Sequence, residues 1–81
     1  MKEQTKKEII TKLNDLKMRI NWWNNFMAEK MTEGNEKEAN QARVVINTLS
    51  AEYWGMQYIL NQFGYEIELD KNGRVEELVN F

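Results

Sequence analysis

Two apolar seams with the same spacing constrain this chain more than any other feature. Ile9, Leu13, Leu16, Ile20, Trp23 and Met27 recur at steps of 4-3-4-3-4, and Ala42, Ile46, Leu49, Tyr53, Met56, Leu60 and Phe63 at 4-3-4-3-4-3. Alternating steps of three and four return side chains to one face of an α-helix, so each run is a helix with a narrow buried stripe. No proline interrupts either run. Only Glu33-Gly34-Asn35 separates them, and a connection that short folds two helices back antiparallel.

The ends of the helices are marked too. Thr5-Lys6-Lys7-Glu8 and Asn35-Glu36-Lys37-Glu38 both have the form of a capping box. Gly34 and Gly64 supply the left-handed residue that closes a helix. The spacing predicts helices over 6–32 and 36–63. After Gly64 the period changes: Tyr65-Glu66-Ile67-Glu68-Leu69 alternates apolar and acidic, and Asp70-Lys71-Asn72-Gly73 reads as a turn. Arg74 to Val79 then returns as a second strand, although Val75, Leu78 and Val79 also suit a last helical turn. The expected fold is mainly α: one domain over 1–81, an antiparallel two-helix hairpin with a short β-hairpin over 65–79. Such a β-hairpin is marginal alone, so it must lie on the helices or pair with another chain.

The adjacent pair Trp22-Trp23 shows what two helices leave over. Successive helical residues point about 100° apart, so both indoles cannot sit in one stripe. With the fold-back near residue 34, Trp23 comes level with the small Ala42 and with Ile46, which assigns Trp23 to the intrachain seam. Removing the seams leaves Ile10, Met18, Trp22, Phe26, Val45, Trp54, Tyr58 and Ile59. Met18, Trp22 and Phe26 form a ridge on the first helix, and Trp54 and Tyr58 another on the second. Met18, Trp22, Phe26, Trp54, Tyr58 and Ile59 are the expected interface, because large exposed apolar surface on a small protein marks a contact. The competing arrangement folds the β-hairpin over Trp22.

Size points the same way. A chain of 81 residues buries little more than about half of its unfolded surface, and with no Cys and no His it has neither disulfides nor a Cys or His zinc site to compensate. Homo-oligomerisation, as a dimer or a larger helical assembly, is the remaining standard route. The lack of His, Cys and a glycine-rich phosphate loop removes the usual nucleophilic and metal-hydrolytic chemistry, so no enzyme, metal or cofactor is expected. Glu33, Glu36 and Glu38 serve helix capping, and Glu66, Glu68 and Asp70 the solvent side of a strand.

Charge is uneven. Residues 1–32 carry seven Lys or Arg against four acids, whereas residues 52–81 carry six acids against Lys71 and Arg74. Lys2, Lys6, Lys7, Lys12, Lys17 and Arg19 are interrupted by Glu3, Glu8 and Asp15, so a nucleic-acid partner is not expected. Glu66, Glu68, Asp70, Glu76 and Glu77 form a candidate acidic face for a basic partner, against the ordinary role of edge charge in blocking aggregation. Asn21, Asn24 and Asn25 flank the Trp pair. With Arg19, Trp22 and Tyr58, Asn21 and Asn25 could hold a nucleotide between chains by stacking and edge hydrogen bonds. No apolar run approaches a membrane span and no signal core is evident, so a cytoplasmic setting is the expectation.

The lysine-rich start, the two equal amphipathic helices and the closing stretch "ILNQFGYEIELDKNG" give the chain a style that resembles small accessory proteins of phages and mobile elements of low-G+C bacteria. That resemblance implies a non-catalytic interaction protein that binds a host or defence component stoichiometrically. The alternative is a small-ligand protein that sequesters a nucleotide signal.

Overall fold

Helix α1 spans Glu3–Thr32 and helix α2 spans Glu36–Gln62; they are followed by strands β1, Tyr65–Leu69, and β2, Val75–Asn80. The computed structural model describes residues 1–81. The helices pack as an antiparallel hairpin along the predicted seams: Leu13 and Leu16 are buried from α1, and Ala39, Ala42, Leu49, Tyr53 and Leu60 from α2. Trp23 belongs to the intrachain seam, half-buried against the core, while Trp22 stays exposed.

The reversal is built as expected at its centre. Gly34 has φ +79°, and Asn35 caps α2 by accepting a hydrogen bond from the Glu38 N–H at 3.2 Å. The reciprocal half of that capping box does not form, because the Glu38 carboxylate turns to Lys30, 3.4 Å away. Lys30 also meets Glu33 at 3.4 Å, so one ammonium ties the end of α1 to the start of α2. Its pKa is raised, first by the hydrogen bond to Glu33 and then by that to Glu38.

At the other end of α1 the capping expectation is corrected. The helix begins at Glu3, after Lys2, with no side-chain cap, and Thr5 lies inside it. Glu3 and Gln4 before Thr5, and Lys6, Lys7 and Glu8 after it, are good helix formers that carry the helix past Thr5 without a cap. Phe63 is the second correction. It is the C-cap of α2 rather than a seam residue, and it is 76% exposed. The chain leaves the helical path there, so the next seam position falls outside the groove.

The segment after the turn is strand, Val75–Asn80, and not helix. Gly64, at φ +84°, turns the chain, and β1 pairs antiparallel with β2 from Tyr65↔Asn80 to Leu69↔Val75. The register slips once, between Glu68 and Leu69, so β2 carries one extra residue there. That bulge explains why Val75 and Leu78, three apart, both face inward where strict alternation would put one of them in water. The loop is closed by Asp70, whose Oδ1 accepts from the N–H groups of Asn72 at 2.8 Å and Arg74 at 3.0 Å. Gly73 completes it at φ +79°.

The β-hairpin lies flat on one side of the helix pair, β2 against α1 and β1 against α2. Tyr65, Val75 and Leu78 enter a common core with Leu13, Leu16, Leu49, Tyr53 and Leu60. Ile10 and Val45, counted as surplus from the helical pattern, pack against this core, Ile10 and its neighbours having gained a third layer. The docking is fixed by a two-way clamp. Asn14 on α1 accepts from the Val75 N–H at 2.8 Å and donates its amide to the Val75 carbonyl at 3.0 Å. Lys6 lies 5.7 Å from the Tyr65 ring centroid, and the Tyr65 hydroxyl accepts from the N-terminal ammonium at 3.1 Å.

Candidate functional site

The β-hairpin covers only the end of the helix pair farthest from Gly34. Trp22 is therefore not beneath it, and the arrangement in which the β-hairpin folds over Trp22 is excluded. Trp22 stacks on Phe26 with ring centroids 5.6 Å apart, and both meet Trp23 edge-on, at 5.0 and 5.4 Å. Lys30 stands 5.3 Å over the Phe26 ring. This is an aromatic ledge near the reversal: Trp23 is its foot in the seam, Phe26 is half-buried, and Trp22 is open.

Of the remaining candidate interface residues, Met18, Trp54, Tyr58 and Ile59 are all more than half exposed. Met18, four residues before Trp22, continues the ridge of the ledge along α1, and the residues on α2 are spread around that helix. Met18 and Trp54 border a cleft beside the β-hairpin, whereas Ile59 is rotated about 140° around α2 from Trp54 by helical spacing.

The cleft occupies about 1160 Å³. Its floor is the groove between the helices, with Asn14, Lys17, Asn21 and Asn24 from α1 and Ser50, Tyr53, Trp54 and Gln57 from α2. Its end wall is the β-hairpin, through Ile67, Leu69 and the turn as far as Val75. Lys17 is held 5.2 Å from the Tyr53 ring centroid and makes no ion pair; nor does Arg74. Burial raises the pKa of the Tyr53 phenol.

One polar atom in this cleft wall stands out. Gln57 Oε1 is shut off from solvent and accepts no hydrogen bond, the only buried side-chain polar atom without a partner. An orphaned buried acceptor costs about 1–3 kcal/mol.

The five residues suggested for nucleotide binding are not brought together. Asn21 lines the cleft; Arg19, Trp22, Asn25 and Tyr58 do not. Arg19 pairs with Asp15 at 3.8 Å instead. By helical spacing Arg19 and Trp22 lie on another side of α1 from Asn14, Lys17, Asn21 and Asn24, while Asn25 stands one turn beyond Asn21 without reaching the cleft. Asn24 and Gln57, which line the cleft, were missed. Two of the asparagines with no assigned site, Asn14 and Asn35, hold backbone.

The acidic tail is a plate with one member turned inward. Glu66, Glu68, Glu76 and Glu77 are exposed, and Glu68 stands directly across the strands from Glu77, a like-charge pair that weakens the sheet locally. Asp70 instead spends a carboxylate oxygen on its own turn. The basic residues of α1 are dispersed: Lys6 meets Glu3 at 3.8 Å and Lys12 meets Glu52 at 3.9 Å. No group of three or more acidic side chains is placed to hold a metal ion, and no helix is long and apolar enough to cross a membrane.

No family model, curated protein or solved structure matches the chain.

Proposed function

We propose that this chain is a non-catalytic interaction module that assembles with copies of itself and acts by binding another macromolecule. The observation that carries this reading is surplus surface. A compact monomer of this mass exposes about 5,100 Å². This chain exposes 5968 Å² and extends 47 Å along its length. The excess of about 850 Å² is close to the roughly 800 Å² that each partner contributes to a standard interface. Much of it is aromatic and aliphatic: Trp22, Trp54, Tyr58 and Ile59 are 58%, 62%, 66% and 56% exposed. Tryptophan and tyrosine are the residues that most often anchor interfaces.

Self-association through the Trp22 and Phe26 ledge would leave the other surfaces, including the acidic outer face of the β-hairpin, for a host or defence component of the kind that phage accessory proteins engage. Light scattering at micromolar concentration tests the first step, with a dimer or larger assembly expected. Trp22→Ala should weaken assembly while leaving the unfolding midpoint of the dissociated chain nearly unchanged. A strict monomer with one cooperative thermal transition would overturn the reading.

A second reading, sequestration of a small ligand such as a nucleotide, is favoured by a different observation. The cleft beside the β-hairpin is lined by carboxamides, an aromatic ring and the unpaired cations Lys17 and Arg74. Calorimetry with purified chain and nucleotide separates the two, because a macromolecular module needs a partner protein and a ligand trap does not.

A further inference from the structure

We propose that a second copy of this chain docks on the flank of the helix pair opposite the β-hairpin, the two rods lying side by side in the same sense with α1 of each over α2 of the other. This deepens the self-association reading and rests on it. The β-hairpin closes one flank of the helix pair, where Asn14 holds Val75. The other flank is marked by Lys12 and Glu52, 3.9 Å apart, which pair across the groove between the helices. Lys12 stands two residues before Asn14, and so on the far side of α1 from the strands. Trp23 and Phe26 of α1 lie along the same flank by helical spacing, as do Val45, Met56 and Ile59 of α2, and none of these five lines the cleft beside the β-hairpin. Trp23, Phe26, Val45 and Met56 are only half-buried, and Ile59 is 56% exposed. A second copy laid here supplies the layer that the β-hairpin supplies on the other side.

Area and charge choose the occupant and its orientation. One flank of a rod 47 Å long and 19 Å across is large enough to give the roughly 800 Å² that each partner contributes to a stable dimer. That is also the surplus this chain exposes over a compact monomer. The exposed Glu66, Glu68, Glu76 and Glu77 all belong to the β-hairpin, so docking through its flank would set two acidic plates against each other. Docking through the opposite flank leaves both plates on outer surfaces. Charges in the middle of that flank then fix the symmetry axis. Here α1 carries Lys12 and Arg19, with Asp15 held 3.8 Å from Arg19, whereas α2 carries Glu52 and has no cation after Arg43. Laying α1 on the partner's α1 would oppose cation to cation and Glu52 to the partner's Glu52. A twofold axis along the rod instead places Lys12 and Arg19 near the level of the partner's Glu52, and gives every helix of the resulting four-helix bundle antiparallel neighbours.

The chain has no cysteine, so a single spin label can be placed at a chosen position. Lys37→Cys puts one at an exposed site beside the reversal. Pulsed EPR of the labelled dimer should give a separation of about 20–25 Å, set by side-by-side helices. Rods lying head to tail would give about 40 Å or more, at about 1.5 Å per residue, and would overturn the orientation. In light scattering, Ile59→Lys and Glu52→Lys should each raise the dimer dissociation constant about tenfold or more, while Trp54→Lys leaves it unchanged. Lys12 and Glu52 form an exposed pair, so Glu52→Lys should barely move the thermal midpoint of the dissociated chain. Mixing the Glu52→Lys chain with a chain carrying Lys12→Glu and Arg19→Glu should restore tight association that neither shows alone. A mixture no tighter than its components would overturn the charge pairing. If Trp54→Lys dissociates the dimer and Ile59→Lys does not, self-association survives and the flank is wrong. A strict monomer at micromolar concentration would overturn both.

Discussion

The two ends of the helix pair are made of the same elements and reach different outcomes. At the β-hairpin end, Leu13, Leu16, Tyr53, Leu60, Tyr65, Val75 and Leu78 are buried together. At the Gly34 end, only the small Ala39 and Ala42 are fully enclosed, and Trp22 and Met31 are 58% and 57% exposed. The heptad spacing is equally regular at both ends, so spacing is not the cause. A pair of helices has one line of contact, and a side chain on that line still has two open flanks. Only where a third layer closes one flank does the line become a core. The β-hairpin supplies that layer for half of the rod.

The largest effect should therefore come from the covered end. Leu16→Ala, at a fully buried site, should cost about 3–5 kcal/mol, read as a fall in the urea midpoint. Asn14→Ala attacks the closure rather than the core. It removes both hydrogen bonds to Val75 and leaves a half-buried N–H and C=O unpaired, for a loss of about 2–3 kcal/mol. Hydrogen exchange should then speed up in the β-hairpin before it does in the helices. Trp23→Ala, at the open end, should cost only about 2 kcal/mol, since the indole is half-buried and water already reaches its flank. A loss as large as that of Leu16→Ala would break the comparison.

The smallest effect is electrostatic. Burial holds the Tyr53 phenol protonated above its ordinary value of 10.0. The unfolded chain releases that proton first, so above this pH the unfolded state binds fewer protons and stability falls as pH rises; below it the contribution is fully present. Tyr53→Phe should flatten the alkaline limb of the stability profile. The part of that limb owed to Lys30, whose pKa is raised by exposed partners at the reversal, should shrink in salt, whereas the Tyr53 part should persist.

Helical periodicity made most of the scaffold legible. The seams, the reversal at Gly34 and the exit at Gly64 are local patterns, and local patterns survive into the fold because backbone geometry enforces them. What escaped were interactions across long sequence separation. Asn14 looked like one more polar helix residue because its partner, Val75, lies 61 positions away. Ile10 looked surplus because a helical wheel cannot show the core that a strand docked on the helices completes. Phe63 looked like a seam residue because periodicity does not register where the helix ends. The bulge between Glu68 and Leu69 could not be read from an alternation that it interrupts. The cleft was the least legible of all. Its lining is drawn from both helices and both strands, whereas the suggested set drew on sequence neighbours of the Trp pair.

The way the chain closes on itself has a mechanical consequence. The N-terminal ammonium of Met1 reaches the Tyr65 hydroxyl, and the Phe81 N–H donates to the Gly64 carbonyl at 2.8 Å. Residues 1 and 81 therefore leave the molecule at one pole of a rod 47 Å long, with Gly34 at the other. A load applied between those two residues pulls across the layers instead of along them, so it opens the β-hairpin bond by bond, like a zip, before it strains either helix. A tether at Gly34 and one at residue 81 would instead load the rod lengthwise and engage the whole helical seam at once.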